Sequence, residues 1–163
     1  MNIDIFILAR LGSSRLPEKH LKLINGKPAI YHLIHRIKKS KKIRKIVICT
    51  TNLKSDDKLV EHLKEEDVEV FRGDNENVLK RILDASKFYQ TDIIIDVEGD
   101  KIYIDPEFID IVVNEFKSSK IEYVIGNDSQ TKFNPSHGIH GIIPTGFTTK
   151  SIEKVCKLKT KKN

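Results

Sequence analysis

Apolar positions along this chain follow two alternating patterns. Short solid runs rich in β-branched residues predict buried strands at Ile3–Leu8, Lys45–Thr50, Val68–Phe71 and Asp92–Val97. Between them the apolar residues fall three and four positions apart, the spacing of one helix face. Ile30, Leu33, Ile34 and Ile37 mark a helix that Pro28 opens and that runs to about Ser40. Leu59, Val60 and Leu63 mark a second, with Ser55 as its N-cap and Asp56 and Asp57 in its first turn. A third, from about Glu76 to Tyr89, carries Val78, Leu79, Ile82, Leu83 and Ala85. A fourth starts at Ile104-Asp105-Pro106 and carries Phe108, Ile109, Val112, Val113 and Phe116. Leu21 to Ile24 reads as a short extended segment before an Asn25-Gly26 turn. The rest predicts a strand at Ile121–Ile125, a polar loop from Gly126 to Gly138, a strand at Ile139–Ile143, a helix at Ser151–Leu158 and a frayed basic tail over 159–163.

Strands that alternate with long helices predict a three-layer α/β fold, a mainly parallel sheet with helices on both faces. Asp92–Val97 is the most hydrophobic strand and belongs near the middle of that sheet. In such folds ligands bind beyond the carboxyl ends of the strands. Four segments follow strand ends here: Ala9–Lys19, Thr50–Asn52, Arg72–Asp74 and Glu98–Lys101. Their convergence on one site is the spatial expectation.

The 163 residues suit one domain, over 1–158, ahead of the tail. Hydrophobic content of 39% with 32% charged residues describes a globular chain. No run is long enough to span a bilayer and no signal-peptide pattern opens the sequence, so no membrane partner and a cytoplasmic location are expected. Cys49 and Cys156 read as two thiols outside any disulfide or metal framework. A net charge of +6 makes polyanions plausible partners, but the excess lies in lysine runs that solvated helix faces and the tail explain. With no Trp, 7% aromatic residues and no recognition-helix motif, nucleic acid ranks last among them.

The loop after the first strand changes the picture. Arg10, Arg15 and Lys19 supply three cations, Gly12 an open backbone, and Ser13 and Ser14 hydroxyls. Such a loop suits a polyphosphate, whose oxygens accept from amides and hydroxyls while the cations offset its charge. Neither GxxxxGK[ST] nor GxGxxG is present. A solvated turn with scattered cations is the plainer alternative. Asp100, beside Gly99 and just past a buried strand, is placed to meet a hard cation, and equally to start a turn. His32 and His35 read as helix-surface residues.

The whole string Ala9, Arg10, Gly12, Ser13, Ser14, Arg15, Leu16, Pro17, Lys19, Leu21, followed by Asn25, Gly26, Lys27 and Pro28, resembles the opening of the sugar-activating cytidylyltransferases. The resemblance is to the spore-coat polysaccharide type and to the related 3-deoxy-manno-octulosonate cytidylyltransferases. It implies a nucleotidyltransferase-like fold, CTP and a sugar or sugar acid as substrates, Mg²⁺ as cofactor and a possible homodimer. It also implies Arg10, Lys19 and Asp100 as catalytic residues, with Asp100 the metal ligand. Nucleotide binding falls to Leu8, Ala9, Arg10, Gly12, Ser13, Ser14, Arg15 and Lys19. Arg72, in the stretch Arg72 to Arg81 that matches the family's segment beside the base, is implied as a donor to the pyrimidine. Three features depart from the family: Glu18 stands where glycine is usual, Lys101-Ile102-Tyr103 replaces the usual turn, and His140 aligns with a second metal-binding aspartate. Relatives also continue further at the C-terminus. The implied activity is CMP transfer to a surface-polysaccharide sugar; a nucleotide-binding partner subunit with reduced catalysis is the alternative.

Overall fold

The computed structural model describes residues 1–125 and 142–160. In chain order β1 (Ile3–Leu8) leads through a loop to the hairpin of β2 (Leu23–Ile24) and β3 (Lys27–Pro28), then α1 (Ala29–Ile37), β4 (Lys45–Thr51) and α2 (Asp57–His62). β5 (Glu69–Gly73), α3 (Val78–Phe88), β6 (Ile93–Glu98) and α4 (Pro106–Ser118) continue the alternation. β7 (Tyr123–Val124), β8 (Thr145–Thr148) and α5 (Thr149–Thr160) complete it.

Six strands form one sheet in the order β5-β4-β1-β6-β8-β7. β5, β4, β1 and β6 are parallel, with Ile5 level with Ile46 on one side and Ile95 on the other. β8 runs antiparallel to β6 and to β7. The most hydrophobic strand is central, as its composition predicts. Alternation along the strands sorts the core into two layers. Ile5, Ile7, Ile48, Ile95 and Val97 face α1, α2 and α4, packing on Leu33, Leu59 and Val113. Phe6, Val47, Cys49 and Ile94 face α3 and α5, packing on Ile82, Ala85 and Ile152. Helices therefore cover both faces.

Several local expectations shift. The first helix ends at Ile37 rather than Ser40. Asn25 and Gly26, at φ 48° and 76°, make the expected turn, here the tight turn of the β2–β3 hairpin, and the extended segment expected over Leu21–Ile24 narrows to Leu23–Ile24. Ser55 does not cap α2: Lys54–Asp56 forms a single 3₁₀ turn, and the Asp56 side chain is committed elsewhere. Asp105 and Asn77 do cap α4 and α3, accepting from Glu107 N at 2.8 Å and Lys80 N at 3.1 Å. The strand expected at Ile121–Ile125 shrinks to Tyr123–Val124. Ile142 and Ile143 lie outside any strand, while Ile139 to Gly141, the Gly126–Gly138 loop and His140 fall outside the described residues. β8 occupies Thr145–Thr148 instead, and α5 extends through Thr160 into the expected tail. Cys49 is buried, and burial pushes its thiol well above the usual range.

Candidate active site

The loop after β1 is shaped by alternating burial. Ala9 and Leu11 turn inward, 3% and 4% exposed, so Arg10 and Gly12 turn outward. Leu11 is tied down on both sides. Its carbonyl accepts from Ser13 N at 2.8 Å and Glu18 N at 3.2 Å, and its amide donates to Asp56 Oδ1 at 2.7 Å. Asp56 is 1% exposed and also accepts from Thr50 Oγ1 at 3.0 Å, Thr51 N at 3.2 Å and Thr51 Oγ1. Burial pushes this carboxyl up, but the Leu11 amide and the two threonines outweigh it and hold the group below the usual range. An ionised carboxylate thus joins β4, α2 and the loop.

The loop's outward residues line a cavity of about 320 Å³ at the carboxyl ends of β1 and β6. Leu8, Ala9, Arg10, Gly12, Ser13, Ser14, Arg15 and Lys19 all border it, and Asp100 faces them from beyond β6. A Cβ added at Gly12 meets nothing within 4 Å, so glycine there keeps the cavity open rather than relieving a contact. Gly99 is different. A Cβ there would lie 2.9 Å from Ala9 Cβ and from His20 Cε1, so only glycine lets β6 end against the loop. His20 is 3% exposed, its Nδ1 has no partner, and burial holds its pKa down. Lys19 Nζ donates to Asp100 Oδ2. Burial alone would raise the Asp100 carboxyl, but the Lys19 hydrogen bond and charge hold it below the usual range, so it is ionised at neutral pH. Glu98 is the second carboxylate on the cavity wall, paired with Lys101 at 3.6 Å.

Glu18 is not on that wall. Its backbone is left-handed, φ 53°, and its carboxylate pairs with Lys58 on α2 at 2.7 Å. Its negative charge is thereby directed to α2 and away from the cavity, and the left-handed conformation accounts for a position where glycine is usual.

Arg72 also departs from expectation. Its guanidinium donates to Thr51 O at 2.9 Å, Leu53 O at 2.8 Å and Asp57 Oδ1 at 2.6 Å, so it braces the end of β4 and does not border the cavity. The arginine of the same segment that does border it is Arg81, 3% exposed on α3. Arg81 Nη1 donates to Asp74 O at 2.8 Å, while its Nε has no partner. No carboxylate pairs with it among the described residues, and burial disfavours its charge. Gly73 makes room for it: a Cβ there would lie 2.9 Å from Arg81 Cγ. The signal was present in the sequence, because a helix starting at Val78 puts Arg81 and Val78 three apart on one face, and both border the cavity. A larger cavity of about 740 Å³ lies between α1 and the residues after α2, where Glu66 pairs with His35 at 3.2 Å and Lys38 at 3.6 Å; it contains none of the loop residues.

The mainly parallel six-stranded sheet with helices on both faces is that of the nucleotidyltransferase-like folds. A solved cytidylyltransferase from Leptospira borgpetersenii superposes with a TM-score of 0.83 at 33% identity, covering 96% of this chain and 64% of that one. The cytidylyltransferase family model matches residues 5–137, and the chain belongs to that family. Among curated relatives, the spore coat polysaccharide biosynthesis protein SpsF of Bacillus subtilis is 35% identical over 118 residues, 69% of this chain and 49% of that protein. The 3-deoxy-manno-octulosonate cytidylyltransferase 2 of Hydrogenovibrio crunogenus is 36% identical over 129 residues, 73% and 48% respectively. The chain spans about half the length of these curated relatives. No helix of the described residues is long and apolar enough to cross a membrane.

Proposed function

We propose that this chain binds CTP in the cavity after β1 and β6 and transfers CMP to a sugar or sugar-acid hydroxyl for surface polysaccharide synthesis, with release of pyrophosphate. What carries the reading is the meeting of Arg10, Arg15, Lys19 and Arg81 with Asp100 around one cavity in a chain of this family. The hydroxyl oxygen forms a bond to the α-phosphorus, the bond from that phosphorus to the bridging oxygen breaks, and the hydroxyl proton passes to solvent. Little covalent work falls to the protein, so position and charge set the rate. Arg10, Arg15 and Lys19 take the departing phosphates, and the Ser13 and Ser14 hydroxyls donate to their oxygens. Arg81 takes the role at the base that the sequence alone assigned to Arg72, since it, unlike Arg72, is a guanidinium on the cavity wall and pairs with no carboxylate among the described residues.

Asp100 suits Mg²⁺. It offers a hard, ionised oxygen on the cavity wall, and among the described residues no cluster of three His, Cys, Asp or Glu offers a protein cage. That fits an ion held by one or two carboxylates, here Asp100 with Glu98, plus substrate phosphates and water. When bound, the ion would offset phosphate charge.

Differential melting tests the proposal. Mg²⁺ with CTP should raise the melting temperature more than Mg²⁺ with ATP or GTP at equal concentration. The Arg81→Lys variant, which keeps charge but loses the planar fork, should narrow that preference; equal shifts for all triphosphates in the parent would reduce the cavity to a phosphate site.

A further inference from the structure

We propose that Lys19 and Asp100 serve as each other's counter-ions until ligands arrive, so that a divalent metal and a polyphosphate bind well only together. The identity of the two ligands rests on the cytidylyltransferase reading; the ion pair does not. Lys19 Nζ bonds Asp100 Oδ2 across the cavity, with the two side chains 26% and 45% exposed. Each group offers the other a substitute for its ligand. The ammonium stands where a metal would meet the carboxylate, and the carboxylate stands where phosphate oxygens would meet the ammonium.

The main chains that carry the pair are both pinned. Glu18 N donates to Leu11 O at 3.2 Å, Leu21 N donates to Glu18 O at 2.9 Å, and the Glu18 carboxylate holds Lys58 at 2.7 Å. On the other side Gly99 N donates to Leu8 O at 2.9 Å and Lys101 N to Glu98 O at 3.0 Å, while His20 fills the space against Gly99. Opening the pair is therefore a rotation of two side chains, with no loop to rebuild. A metal arriving alone takes Asp100 and leaves an ammonium beside a dication. A polyphosphate arriving alone takes Lys19 and leaves a carboxylate facing phosphate oxygens. When both arrive, each released group meets an opposite charge, and the two binding events favour one another by the same factor.

The test uses the full chain, with Mn²⁺ counted by electron paramagnetic resonance in the absence of nucleotide, and metal-free CTP titrated calorimetrically in EDTA. Lys19→Gln should bind Mn²⁺ about tenfold more tightly than the parent, within the usual range of coupling between sites. Asp100→Asn should bind metal-free CTP more tightly than the parent by a similar factor. Unchanged Mn²⁺ affinity in Lys19→Gln overturns the proposal whatever the nucleotide does, and so does unchanged or weaker metal-free CTP binding in an Asp100→Asn protein whose parent binds CTP. A Mn²⁺ gain in Lys19→Gln together with no CTP binding by the parent, with or without metal, upholds the pair and removes the cytidylyltransferase reading instead.

Discussion

Two residues near the end of β6 show how little tolerance the chain leaves at single positions. A methyl group at Gly99 would intrude on Ala9 Cβ, His20 Cε1 and His20 Nδ1, the last at 3.0 Å. Gly99→Ala should therefore destabilise the protein by about 1–3 kcal/mol, the usual cost of overpacking. Adding His20→Ala to that variant should restore part of the loss in urea unfolding, because it removes two of the three obstructing atoms. Asp96, within β6, is a carboxylate whose Oδ1 is buried without a partner. Burial first, and the neighbouring Glu98 second, push its pKa up to about 6. A carboxyl whose folded pKa is raised binds its proton more tightly in the native state. Stability is accordingly lost as pH rises from the unfolded value near 4 to about 6. Asp96→Asn should raise stability at pH 7.5 by about 3 kcal/mol and leave it nearly unchanged at pH 4, as read from denaturant melts at the two pH values. The sequence shows both residues but not these roles, since neither a neighbour 79 positions away nor the lack of a partner is written in local pattern.

At the scale of elements, the sequence pattern found every strand of the parallel set and all five helices to within a few residues. It missed where polar side chains overrule local rules. Ser55 and Asp56 both satisfy the statistics of a helix start, yet Asp56 is pulled away by Leu11, Thr50 and Thr51, and α2 begins behind a 3₁₀ turn. β8 was missed because Thr145-Gly146-Phe147-Thr148 is short and contains a glycine. That glycine is set by packing: a Cβ at Gly146 would lie 2.5 Å from Phe116 Cε2 and 2.8 Å from Val112 Cγ1, both on α4. Asp56→Ala should cost about 3 kcal/mol, since it strands several donors around a buried space. The Asp56 pKa is lowered in the folded state, so its contribution is present above the unfolded carboxylate value and lost as pH falls through the folded one. The stability of the alanine variant should thus fall less steeply on acidification than that of the parent, a difference that urea midpoints across the acid range will show.

For the molecule as a whole, the placement of the site at the carboxyl ends of the strands followed from the order of elements alone, and the cationic loop was legible residue by residue. The division of labour among the four converging segments was not. The loop after β1 and the end of β6 border the cavity, whereas the ends of β4 and β5 serve as scaffold, through Thr50, Thr51 and Arg72. Arg72 and Arg81 lie nine positions apart in one charged segment, and only tertiary contacts distinguish a brace from a cavity wall.

The bond from Leu11 N to Asp56 Oδ1 gives this scaffold a kinetic signature. Leu11 lies three residues beyond β1, where a loop amide ordinarily exchanges with solvent in step with local fraying. Its acceptor here stands at the entrance to α2, so its proton is released only when the loop and that helix part. Hydrogen–deuterium exchange should show the Leu11 amide protected to the level of the α2 amides. In Asp56→Ala, which has no acceptor, it should exchange with the rest of the loop, while Ile5 and Ile7 in β1 stay slow.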